Sequence, residues 1–136
     1  MEVSMLRFRN LTVPVAIAAL TGILVIGVWQ STVRAQSVSF KDDVFPIIEL
    51  RCLECHQPGG EGYEKSGMDL RTYESLMKGT KFGSVITPRS TIESSLIAML
   101  ERRTSREIWM PHNKKKLSNC ERRAFRGWVA QGARKN

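Results

Sequence analysis

The pattern of apolar and polar positions divides the chain into two unequal parts. Leu11 to Trp29 forms an unbroken apolar run of 19 residues without a charge, long enough to cross a bilayer core as a helix. Beyond a short polar linker the spacing changes. Phe40, Val44, Ile47 and Ile48 recur at helical intervals behind Ser39, a good capping residue. Pro46 falls inside that run and predicts a kink or an early end, because an interior proline removes a hydrogen bond and clashes with the preceding turn. Gln57 to Gly67 holds four glycines and a proline and reads as a loop. Helical spacing returns over Arg71 to Lys78, with Gly79 as its C-cap. It returns again over Thr91 to Arg103, where Ile92, Leu96, Met99 and Leu100 share a stripe and Ser90 and Glu93 have capping-box spacing. The clearest segment is the last: Ser118 and Glu121 form a second capping box, and Ala124, Phe125, Trp128 and Val129 line one face up to Gly132. Period-two alternation is absent, so the expected fold class is all-α.

Residues 1–35 read as an export or anchoring segment and residues 36–136 as one domain of about 100 residues. Arg7 and Arg9 ahead of the apolar run place that end in the cytoplasm, and Trp29 sits where an interfacial aromatic belongs. Val33-Arg34-Ala35 has the small residues that a signal peptidase accepts, and Pro14 and Gly22 weaken the helix. The length of the apolar run nevertheless favours a retained single-pass anchor over a cleaved signal peptide. Either reading exports the remainder, to the periplasmic side of a bacterial inner membrane. A folded part of this size gains only modestly from burial alone, so a large bound cofactor would help it.

Charge sharpens the picture. The formal net charge is +8, yet residues 36–98 carry 7 basic and 9 acidic residues, whereas residues 99–136 carry 11 basic and 3 acidic. The basic surface is therefore the C-terminal third. Neither a recognition-helix pattern nor an aromatic stacking platform accompanies it, which argues against nucleic acid. An acidic protein partner or an anionic lipid surface is the expected counterpart, with Lys114, Lys115 and Lys116 as its steering residues.

Candidate chemistry lies in Arg51-Cys52-Leu53-Glu54-Cys55-His56, which contains C-x-x-C-H. Two thiols at this spacing form thioethers with the vinyl groups of a haem while the following histidine ligates iron. Cysteines three apart on a helical turn point to one side, and the next residue is carried beneath the metal. A zinc site would need a second ligand pair, and only His112 and Cys120 lie downstream. A thioredoxin-type motif would need a βαβ context, which is missing. Cys120 falls on the final helix and is expected to be a buried small hydrophobe.

The sixth iron position needs a ligand of its own. Met99 and Met77 are expected in the core, Met68 follows the glycine-rich segment, and Met110 precedes Pro111 between two helices. Met110 is the foremost candidate, with His112 or an open position as alternatives. A thioether there raises the reduction potential.

The chain from Phe40 to Ala133 resembles the small single-haem cytochrome c domain of planctomycetes and related bacteria. The resemblance rests on Cys52-Leu53-Glu54-Cys55-His56, Gly67-Met68-Asp69-Leu70, Leu76-Met77-Lys78-Gly79, Ser95-Leu96-Ile97, Met110-Pro111, Leu117-Ser118 and Gly127-Trp128-Val129-Ala130-Gln131-Gly132-Ala133. It implies an all-α cytochrome fold around one covalent haem c held by Cys52, Cys55, His56 and Met110, with His56 and Met110 as iron ligands. The function expected from the haem motif and the export segment is that of an electron carrier rather than an enzyme, acting alone or as a subunit of a larger membrane redox complex. The alternative is a haem enzyme or gas-binding module with an open sixth position. The sequence departs from the family where His112 replaces a second proline and Lys114-Lys115-Lys116 replaces a glycine-rich stretch.

Overall fold

The computed structural model describes residues 36–136. The expected N-terminal apolar helix lies outside the described residues, and no helix among the described residues is long and apolar enough to cross a membrane. The described chain is helical with no strand and only two isolated bridges, as an all-α domain requires.

Ser39 caps a π-helical turn, Phe40–Val44, through its hydroxyl on the Asp42 N–H. This turn runs directly into α1, Phe45–Arg51. Pro46 thus stands in the first turn of α1, where its missing N–H costs nothing. The proline marks a change of helical pitch and leaves the chain helical on both sides.

Two glycines bound a helix that composition had assigned to a loop. Gly60 is the extended N-cap and Gly67 the left-handed C-cap (φ 70°) of α2, Glu61–Ser66. A Glu61–Lys65 pair four residues apart supports its exposed face. α3, Tyr73–Lys78, is shorter than its spacing suggests because Thr72 and Ser75 close a capping box that fixes its start.

The Thr91–Arg103 segment also shortens, to α4, Ser95–Glu101. Ser90 does accept the Glu93 N–H at 3.2 Å, but within a turn. The buried Ser94 hydroxyl then bonds the Thr87 and Ser90 carbonyls. Ile92 consequently leaves the predicted stripe and is 85% exposed. A 3-10 turn, Arg106–Ile108, leads to an irregular strap from Met110 to Leu117. α5, Asn119–Ala130, carries the Ser118–Glu121 capping box as expected and buries Phe125, Trp128 and Val129. Cys120 is exposed, contrary to expectation. It lies in the first turn of α5, ahead of the point where the buried stripe begins.

Trp128 anchors the core. Its ring lies 5.3 Å from Phe40 and 6.4 Å from Tyr73, while Phe40 and Tyr73 meet edge-on at 5.3 Å. Both polar handles are satisfied: Trp128 Nε1 donates to the Arg134 carbonyl and Tyr73 Oη to the Ala133 carbonyl, each at 2.8 Å. The last residues are tied back to the first described ones, with the Lys41 N–H on the Asn136 carbonyl at 2.9 Å.

Candidate functional site

Cys52, Cys55 and His56 are gathered in the turn that follows α1. The Cys55 and His56 N–H groups both donate to the Cys52 carbonyl, at 3.1 and 3.0 Å. Helix α2 then closes over this turn. Tyr63 N–H reaches the Cys55 carbonyl at 2.8 Å, and Leu70 N–H reaches the His56 carbonyl at 2.9 Å.

Glycine is required where the two segments meet. A Cβ at Gly62 would stand 2.8 Å from His56 Cε1 and 3.0 Å from its Nδ1, and one at Gly60 would stand 2.6 Å from the Cys55 carbonyl oxygen. The imidazole is therefore backed by bare backbone. Sequence reasoning took these glycines as loop punctuation and missed this packing role; their spacing of two, four residues after a C-x-x-C-H motif, was the available signal.

Burial holds the His56 pKa below its ordinary value of 6.5, with the Met68 backbone opposing. Its Nδ1 is buried without a partner. A neutral imidazole is the form that ligates a metal. Burial likewise pushes the Cys52 thiol up to about 11, against a smaller lowering by Arg51. A nucleophilic redox cysteine has its pKa depressed, so this site argues against thioredoxin-type exchange.

Met68 is a buried core residue, and Met77, Met99 and Met110 are partly buried against the same core. Met110 opens the strap, its N–H on the Met99 carbonyl at 3.3 Å and Pro111 buried behind it. The strap is bound to the C-x-x-C-H segment: Lys114 pairs with Glu54, and Arg51 Nη2 donates to the Lys115 carbonyl at 3.0 Å. His112 is exposed and lies near Glu61, whose carboxyl is held below its ordinary value chiefly by the hydrogen bond and charge of Lys65, with only a minor contribution from His112. Lys116 Nζ is drawn onto the Glu101 carbonyl at 2.9 Å. Of the three lysines, Lys114 and Lys116 are thus engaged in holding the strap.

Three features fit a covalently held haem. Two thiols and an imidazole are presented from a single turn, the histidine is kept neutral by burial, and its back face is packed by α2. No cluster of three or more His, Cys, Asp or Glu side chains placed to hold a metal ion exists among the described residues.

Residues 52–112 match the family model described as planctomycete cytochrome C. The match begins at the first cysteine of the motif and ends two residues after Met110. No curated protein and no solved structure matches the chain. A cytochrome c domain implies covalent haem and haem-based electron transfer.

Proposed function

We propose, on the premise that residues 52–112 form a cytochrome c-like domain, that the protein is an electron carrier on the periplasmic side of the inner membrane, alone or as a subunit of a larger membrane redox complex. One observation carries the reading: Cys52, Cys55 and His56 share one turn whose far side is closed by Gly62 against the imidazole. When bound, haem c supplies a one-electron iron couple. The chain's residues do the rest. Cys52 and Cys55 would hold the macrocycle through thioethers, and His56 would ligate the iron through Nε2, the ring nitrogen other than the buried Nδ1. Met110 would supply the second protein ligand from the strap, and its thioether would favour the reduced iron. Burial of Cys52 and packing of α2 on the turn limit water there. The basic strap beside the motif supports docking of an acidic redox partner, and residues 1–35 are read as the membrane anchor.

Exposure of the reduced holoprotein to carbon monoxide tests the carrier reading. A chain with both axial positions filled binds it slowly or not at all at neutral pH, whereas Met110→Ala binds it readily. Rapid binding by the wild type would instead mark an open sixth position, as in a haem enzyme or gas-binding module.

A further inference from the structure

Two arginines from different elements reach consecutive carbonyls of one short stretch. Arg51 Nη2 donates to the Lys115 carbonyl at 3.0 Å, and Arg102 Nη2 donates to the Lys114 carbonyl at 3.3 Å. Arg51, the residue before Cys52, also meets Glu121 Oε1 at 3.3 Å, with the two side chains 25% and 20% exposed. Glu121 is itself fixed by the capping box of α5. Arg102 caps α4 in the left-handed conformation and lies 5.0 Å over the Trp109 ring. Arg102 therefore contacts the chain on both flanks of Met110-Pro111.

The strap has no helix or strand to fix its path; water can satisfy its exposed carbonyls, so what the two guanidiniums add is position, held against the mutual repulsion of three successive lysines. The planar guanidinium suits the task because one fork can hold a carbonyl and a carboxylate together. Glu54 and Glu121 offset the local positive charge.

We infer that Arg51 and Arg102 are positioning residues, a clamp on the Lys114 and Lys115 carbonyls that keeps the strap closed and so holds Met110 at its ligating position. This rests on the reading of Met110 as sixth ligand. The clamp makes departure of the thioether an opening equilibrium, and an added nitrogen ligand reads that equilibrium through its apparent affinity.

The experiment titrates imidazole into the oxidised full-chain holoprotein and follows hydrogen exchange at residues 112–117 in parallel. Arg51→Ala and Arg102→Ala should each bind imidazole roughly three- to tenfold more tightly and exchange faster across the strap, with α5 core amides unchanged. Arg51→Lys keeps the charge but loses the planar fork, and should fall between wild type and Arg51→Ala. Should Arg51→Ala not fold, Arg51→Lys and Arg102→Ala carry the same test. Unchanged strap exchange in the variants overturns the clamp. Faster exchange with unchanged imidazole affinity leaves the clamp standing and overturns Met110 as the ligand it protects.

Discussion

The aromatic side of the domain and the strap beside the C-x-x-C-H turn are held by different forces. Phe40, Tyr73 and Trp128 are locked by burial, with each polar handle bonded to a carbonyl near the C-terminus. The strap from Met110 to Leu117 buries only Pro111 and Leu117, with Met110 partly buried, and is otherwise held by charged groups: Arg51, Arg102, Lys114 and Lys116. A well-packed core thus carries the C-x-x-C-H turn, while the proposed sixth ligand sits on a segment whose bonds are exposed to solvent and salt. Local opening should begin at the strap.

Breaking the aromatic side should have the largest effect. Trp128→Ala removes a ring only 1% exposed and should cost about 3–5 kcal/mol, measured by urea unfolding. Next comes the packing behind His56. Gly62→Ala places a methyl against the imidazole and the Cys55 carbonyl, and should cost about 1–3 kcal/mol. It should also alter the haem spectrum, which a substitution of similar size on the exposed face of α2 should not do.

The Cys52 thiol gives a pH-dependent contrast. Folding raises its pKa from the ordinary 9.0 to about 11 because burial disfavours the thiolate. The resulting stabilisation is complete below pH 9 and is lost as pH rises through 11. The chain without haem should therefore lose stability over that window more steeply than its Cys52→Ala variant. The holoprotein, whose sulfur is a thioether, should not show the difference. The smallest effect belongs to the strap surface. Lys115→Glu should slow electron transfer to an acidic partner by roughly a few-fold at low salt and little at high salt, as stopped-flow rates would show.

The same contrast explains what could be read from residues alone. The Ser118–Glu121 box and the Phe125, Trp128 and Val129 stripe announce α5 because local spacing and burial agree there. The C-x-x-C-H turn stands out in the sequence because thioether chemistry would demand fixed neighbours. The α2 helix was missed because its glycines, read as breakers, serve instead as caps and as the surface against which His56 packs. Ile92 was misplaced because the Ser94 hydroxyl, bonded across seven residues to Thr87, delays the start of α4. The Lys114–Lys116 run reads as free surface charge, and only tertiary contacts reveal that two of its members hold the strap.

Covalent attachment at Cys52 and Cys55 is the claim on which the account stands, and haem staining after denaturing electrophoresis tests it most directly. The full chain, produced with haem-attachment machinery outside the cytoplasm, should keep its stain, and the Cys52→Ala, Cys55→Ala double variant should lose it. A wild-type chain that emerges unstained, or a double variant that remains stained, would contradict the account.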